Sequence, residues 1–156
     1  MNIADLLQTA RVWGWRLTTA ESCTGGMVAA ALTDIPGSSD VFDRGFVTYS
    51  NAAKVEMLGV SPDTLDQYGA VSEAVALEMA RGALAHADAS LAVSITGIAG
   101  PGGSAHKPEG RVCFGIAQDG RALFTETVEF GALGRDRVRL AARDHALGLL
   151  WRAVQP

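Results

Sequence analysis

Cysteine, histidine and long hydrophobic runs are scarce in this sequence, and each scarcity excludes a class of protein. Two cysteines, Cys23 and Cys113, occur in 156 residues; their number does not suggest a disulfide framework, and their spacing suits neither a zinc knuckle nor a redox CxxC motif. The three histidines, His86, His106 and His145, lack HxxxH or HExxH spacing, so we expect no metal site. No apolar run is long enough to span a membrane.

Positive charge is not in excess either. The chain has 13 Lys and Arg against 17 Asp and Glu, a formal net charge of −4. Binding to nucleic acids and to anionic membranes needs a basic surface, so we expect neither partner. The N-terminal segment MNIADLLQTARVWGW carries an acidic residue early and has no apolar core followed by a cleavage site. We therefore expect no signal peptide and a cytoplasmic protein.

Segments with helical and strand periodicity alternate along the chain. The hydrophobic fraction is 48% and the aromatic fraction only 6%, so alanine and glycine favour close packing of helices on a sheet. We predict an α/β fold, a three-layer α/β/α sandwich with a mixed β-sheet, as a single domain over residues 1–156. The predicted helices are 2–13 (capped by Asn2), 27–32, 51–58, one from Pro62, 73–86 (capped by Ser72) and 135–154. The predicted strands are 15–20, 45–49, 91–95, 111–117 and 122–128.

The segment AESCTGG lies between the first predicted strand and a helix. Outward-pointing N–H groups at a helix start can hold an oxyanion or a phosphate, which makes Ser22 a candidate nucleophile and Thr24, Gly25 and Gly26 candidate backbone donors. From spacing alone, a plain helix cap is the better interpretation. Cys23 is an alternative nucleophile, because cysteine is intrinsically more reactive than serine.

The segment GFVTYSNAAK brings Lys54 to about one helical turn from the predicted strand end at Tyr49. A lysine can act as a general base if burial lowers its pKa, and Ser–Lys pairs are a known variant of serine hydrolases. By composition alone, a solvated lysine on a helix face is much the commoner case.

Two later segments offer groups that could bind a ligand. The glycine-rich stretch TGIAGPGGS follows a predicted buried strand, and its small residues, including Thr96, Gly97 and Gly100, can expose backbone donors to a ligand. Arg135 and Arg139 are spaced i and i+4, so they share one helix face and could hold a phosphate. A flexible surface loop and a solvated basic face are the alternatives.

Taken together, these segments resemble one family. The chain is similar to the C-terminal domain of CinA proteins, the nicotinamide-nucleotide amidase family, in the blocks AESCTGG at 20–26, DIPGSS at 34–39, GFVTYSNAAK at 45–54, LGV at 58–60, GAVSE at 69–73 and TGIAGPGG at 96–103. These blocks keep their order over almost the whole chain. The resemblance implies hydrolysis of nicotinamide mononucleotide to nicotinic acid mononucleotide and ammonia, in the recycling of pyridine nucleotides.

The resemblance also implies roles for individual residues. The family is a Ser/Lys hydrolase with an assisting tyrosine; matched by motif, these residues are Ser22, Lys54 and Tyr49, which selects Ser22 over Cys23. We expect the oxyanion to be held by N–H groups at 24–26 or 96–97, and the phosphate by the glycine-rich loop with the two arginines. Some CinA proteins carry a further N-terminal domain associated with a metal-dependent pyrophosphatase. This chain begins about where the amidase domain begins, so we expect no metal and no cofactor.

Two segments depart from the family pattern. Glu109 stands where the family has an apolar residue, in a loop that is also shortened, and Leu133-Gly134 replaces a Gly-Asp pair before Arg135. The alternative function is a non-catalytic sensor that binds a pyridine nucleotide, or a protein-interaction module. A phosphotransferase has little support, because the chain lacks a Walker lysine and an acidic cluster. The sequence leaves open whether the protein forms a homo-oligomer.

Overall fold

The computed structural model describes residues 2–156. These residues form six α-helices and five β-strands. The helices are α1 (Ile3–Trp13), α2 (Met27–Thr33), α3 (Asn51–Leu58), α4 (Pro62–Tyr68), α5 (Glu73–Ala85) and α6 (Arg135–Ala153). The strands are β1 (Leu17–Glu21), β2 (Phe42–Val47), β3 (Leu91–Gly97), β4 (Arg111–Gln118) and β5 (Phe124–Glu129), and a short 3-10 turn covers Ser38–Asp40.

Side-chain caps begin α1 and α5 where the sequence predicts them. Asn2 Oδ1 accepts the N–H of Asp5 at 2.8 Å at the start of α1, and Ser72 Oγ accepts the N–H of Val75 at 3.2 Å at the start of α5. Each bond satisfies a backbone donor that has no partner within the helix. The two predicted caps are therefore confirmed.

The strands form one mixed sheet in the order β2-β1-β3-β4-β5. Strand β1 runs parallel to both β2 and β3, whereas β3–β4 and β4–β5 are antiparallel pairs. Helices α1, α2 and α6 cover one face of the sheet, and α3, α4 and α5 cover the other. Each face has its own apolar cluster, and the predicted α/β/α sandwich is confirmed.

Some strand boundaries differ from the prediction. The predicted strand at 15–20 begins only at Leu17, because the N–H of Trp15 bonds to the carbonyl of Ala10 and closes the end of α1. The strand predicted at 45–49 spans Phe42–Val47 instead, which leaves Tyr49 beyond the sheet. Pairing with β4 extends β3 to Gly97.

The chain order creates a crevice at the carboxyl ends of β1 and β2. The connection from β1 to β2 passes through α2 on one face, and the connection from β2 to β3 passes through α3–α5 on the other. The two connections diverge from the carboxyl ends of neighbouring parallel strands, which is where α/β sheets bind their ligands. Within residues 2–156, the structure has no helix of the length and apolarity needed to cross a membrane.

Candidate active site

The ends of the three parallel strands bring the predicted site segments together. Ser22 directly follows β1, Tyr49 is the second residue after β2, and Thr96 and Gly97 end β3. These residues line a cleft of about 230 Å³, together with Lys54 from the first turn of α3. Segments far apart in the sequence thus meet at one edge of the sheet, as expected for a doubly wound topology.

Lys54 is the polar anchor of this cleft. Its side chain is only 1% exposed, and its Nζ lies 3.0 Å from Ser22 Oγ. The same nitrogen lies 2.9 Å from the carbonyl oxygen of Thr48 and 3.2 Å from that of Tyr49. Because Ser50 caps α3 and places Lys54 one turn in, the lysine points back at the strand end rather than into solvent.

Burial favours the neutral form of Lys54. Desolvation lowers the pKa of its amine, with only a smaller opposing influence from Cys23. Lys54 forms no salt bridge with any carboxylate in residues 2–156. Nζ donates to Ser22 Oγ and to the carbonyls of Thr48 and Tyr49, which are three acceptors for the three donors of the ammonium form. When the amine loses a proton, its two remaining N–H groups serve the carbonyls and its lone pair is free to accept from the hydroxyl of Ser22. This is the arrangement that a general base requires.

Cys23 is poorly suited to act as the nucleophile. It is 5% exposed, and burial raises the pKa of its thiol to about 12. The thiolate, which is the reactive form, is therefore scarce at neutral pH. The amide nitrogen of Cys23, in contrast, donates to no other backbone group within residues 2–156. It occupies the position directly after Ser22, where many hydrolases have an oxyanion donor.

A buried carboxylate lies directly before the serine. Glu21 is fully buried, and its carboxylate accepts hydrogen bonds from Thr24 Oγ1 at 2.7 Å, from the N–H of Val28 at 2.9 Å and from the N–H of Ala29 at 3.0 Å. The expectation that the first N–H groups of α2 point outward to a ligand is wrong for these two amides. They are satisfied within the protein, because an intramolecular carboxylate already takes the place of an anion at the helix start.

A second cleft of about 290 Å³ adjoins the first along the glycine-rich loop, and Gly97, Gly100 and Arg135 line it. Arg135 Nη1 donates to the carbonyl of Gly100 at 2.6 Å, and its Nη2 donates to Tyr49 Oη at 3.0 Å. Tyr49 is 62% exposed as a residue. Its phenol contacts Arg135, whereas only its backbone carbonyl contacts Lys54. Thr96 Oγ1 donates to the carbonyl of Ala70 at 2.9 Å.

The remaining predicted binding residues lie outside the two clefts. Arg139 Nε donates to the carbonyl of Cys23 at 3.0 Å, and its Nη2 donates to that of Thr24 at 3.4 Å. Neither cleft is lined by Arg139, Thr24, Gly25 or Gly26. The structure thus separates Arg135, which faces the cleft, from Arg139, which holds the turn that carries Ser22. Whether these residues contact a substrate stays a prediction.

Two residues of this region were missed by sequence reasoning as functional candidates. Asn51 lines the cleft beside Lys54, but the sequence assigned it only to the start of a helix. Glu21 could have been noticed as a charged residue at the end of a buried, parallel strand. The described part of the chain contains no group of three or more His, Cys, Asp or Glu side chains arranged to hold a metal ion.

Comparisons with known proteins identify relatives over nearly the full length. The family described as the CinA C-terminal domain matches residues 2–154. A nicotinamide-nucleotide amidohydrolase PncC from Enterobacter agglomerans is 63% identical over 131 residues, which cover 83% of this chain and 79% of that protein. A protein of the same name from Escherichia coli K12 is 54% identical over 145 residues, which cover 92% and 87%. The crystal structure of the competence/damage-inducible protein CihA from Agrobacterium tumefaciens superposes with a TM-score of 0.94 at 47% identity, covering 98% of this chain and 93% of that chain.

Proposed function

Since the chain belongs to the CinA C-terminal domain family, we propose that it is a nicotinamide-nucleotide amidohydrolase, which converts nicotinamide mononucleotide and water to nicotinic acid mononucleotide and ammonia. The observation that carries this proposal is the distance of 3.0 Å between Lys54 Nζ and Ser22 Oγ in a cleft. The names of the relatives from Enterobacter and Escherichia support the choice of substrate. The reaction returns a by-product of NAD consumption to NAD synthesis in the cytoplasm.

Acylation begins with proton transfer from Ser22. Neutral Lys54 takes the hydroxyl proton, and Ser22 Oγ attacks the carbon of the substrate's carboxamide. The carboxamide oxygen becomes an oxyanion, for which the free amide of Cys23 is a donor next to the nucleophile. Loss of one such donor typically costs about 100- to 1,000-fold in rate.

Collapse of this intermediate releases ammonia. The C–N bond breaks while protonated Lys54 donates its proton to the leaving nitrogen, which leaves an ester between the substrate's acyl group and Ser22 Oγ. Neutral Lys54 then takes a proton from water, and the resulting hydroxide attacks the ester carbon. Return of the proton to Ser22 Oγ releases nicotinic acid mononucleotide, and the enzyme is ready for another cycle.

The nucleotide end of the substrate extends toward Arg135. This residue carries a positive charge into the second cleft, and it forms no salt bridge with the described residues. The amides of Ala99, Gly100 and Gly103 in the adjoining loop have no acceptor within residues 2–156. A guanidinium together with free backbone N–H groups suits a phosphate.

The direct test is ammonia release from nicotinamide mononucleotide by the purified protein in the presence of a chelator. We expect turnover with the parent protein and none with Ser22→Ala, because the variant lacks the oxygen that attacks the carboxamide. Circular dichroism and nucleotide binding by calorimetry control for the fold and the cleft. Tight binding without ammonia release by the folded parent protein would instead identify a nucleotide sensor.

A further inference from the structure

The two departures from the family pattern, Glu109 and Gly134, are in contact in the structure. Glu109 Oε2 accepts the N–H of Gly134 at 3.2 Å, and its Oε1 accepts the N–H of Gly102 at 2.6 Å. One carboxylate therefore joins the tip of the glycine-rich loop to the start of α6. Both bonds are charge-assisted, which makes them about twice as strong as bonds between neutral groups.

Gly134 itself has no means of capping α6. It has no side chain, and no side-chain hydrogen bond caps the helix from this position. Its φ of +93° and ψ of 151° lie in a region that is essentially restricted to glycine, so an aspartate would be strained there. Glu109, from the loop that precedes β4, supplies a carboxylate to this helix start.

The same carboxylate packs against the loop that Arg135 contacts. Gly100 has a φ of +94°, and a Cβ built on it would lie 2.5 Å from Glu109 Cδ. Only glycine therefore allows Glu109 to approach this closely. Arg135 donates to the carbonyl of Gly100 and to Tyr49 Oη. Glu109 therefore packs against the loop residue that Arg135 binds and accepts the N–H of the residue directly before Arg135.

We infer that Glu109 is a positioning residue that holds the glycine-rich loop and Arg135 in place for the anionic end of the substrate. This inference rests on the proposed function. Glu109 lines neither cleft and does not contact Ser22 or Lys54. Its loss therefore affects substrate affinity and leaves the chemical step largely unchanged.

The test compares Glu109→Val, Glu109→Gln and the control Asp136→Asn. Asp136 is an exposed residue in the first turn of α6, so the control removes a charge near Arg135 without touching the loop. We expect Glu109→Val to raise the KM for nicotinamide mononucleotide by roughly tenfold or more, with kcat within about twofold of the parent. Glu109→Gln should shift KM in the same direction, and Asp136→Asn should shift it by less than about twofold.

Amide NMR of the ligand-free protein provides a readout that does not depend on turnover. The amide resonances of Gly102 and Gly134 should move in both Glu109 variants and stay in place in Asp136→Asn. If the parent protein releases no ammonia, the proposed function fails, while these resonances still report on the carboxylate contact. An unchanged KM in a folded Glu109→Gln, a fall in kcat at constant KM, or unmoved resonances would each overturn the inference.

Discussion

Replacement of Lys54 tests its proposed role as the general base and, separately, the effect of its buried amine on stability. Lys54→Arg puts a permanently charged group in place of the amine, and Lys54→Met keeps a similar length without a titratable group. Either change removes the amine nitrogen that lies 3.0 Å from Ser22 Oγ, and with it the group that takes the proton in the proposed mechanism. Because positioned general bases contribute about 100- to 10,000-fold in rate, we expect kcat to fall by at least about 100-fold in both variants.

The pH dependence of the parent protein follows from the same burial. Desolvation lowers the pKa of Lys54 from its ordinary value of 10.5, and the mechanism needs the neutral amine. The rate constant kcat/KM should therefore rise with pH through the lowered pKa and level off below pH 10.5. Protonation of Lys54 at lower pH removes the base.

Stability should change in the same pH window. Between the lowered pKa of the folded protein and the ordinary pKa near 10.5, unfolding takes up a proton at Lys54. The free energy of unfolding of the parent, relative to Lys54→Met, should therefore rise with pH by up to about 1.4 kcal/mol per unit. Below the lowered pKa, the difference in unfolding free energy between the parent and Lys54→Met is constant, and the cost of burying the protonated amine is at its maximum. Above the ordinary pKa, this cost is absent.

The assays are ammonia release and urea unfolding from about pH 6 to about pH 11. Nucleotide binding by calorimetry checks that each variant keeps its cleft. Retention of more than a tenth of the parent rate by folded Lys54→Arg would refute Lys54 as the base, since about tenfold is below the range for a general base. A pH-independent stability difference between the parent and Lys54→Met would refute the lowered pKa.

Four further substitutions test the residues around the serine and the two clefts. Cys23→Ala should keep kcat within about tenfold of the parent, because its thiol stays protonated; a folded but inactive variant would restore the cysteine as the nucleophile. Glu21→Gln should lower stability by roughly 1–3 kcal/mol and also lower kcat. The matched control Glu78→Gln loses a similar carboxylate bond to a backbone amide at the start of α4 and should lower stability alone. Equal kcat values in the two variants would remove Glu21 from the site. Arg135→Ala should raise KM roughly tenfold or more, and Arg139→Ala should mainly lower stability; the reverse pattern would assign phosphate binding to Arg139.

The amino-acid sequence by itself determined the layers and the helix starts. Asn2 and Ser72 cap helices through bonds to residues only three positions away, so the local pattern was enough to predict them. The alternation of strands and helices predicted the mixed sheet, and the sequence blocks from AESCTGG to TGIAGPGG resembled the right family. Strand ends were less predictable. Whether Trp15 or Tyr49 joins the sheet depends on which backbone partner is available.

The tertiary structure alone decided which candidate residues reach the cleft and which hold the turn that carries Ser22. Composition alone favours a solvated Lys54, and the family resemblance implied its role without its environment. The structure buries it beside Ser22, 32 positions away, and this burial lowers the pKa of its amine. Arg135 and Arg139 share one helix face, yet only Arg135 reaches the cleft, because the carbonyls of the serine turn engage Arg139. Desolvation and hydrogen bonding depend on neighbours from distant segments, and folding is what brings those neighbours together.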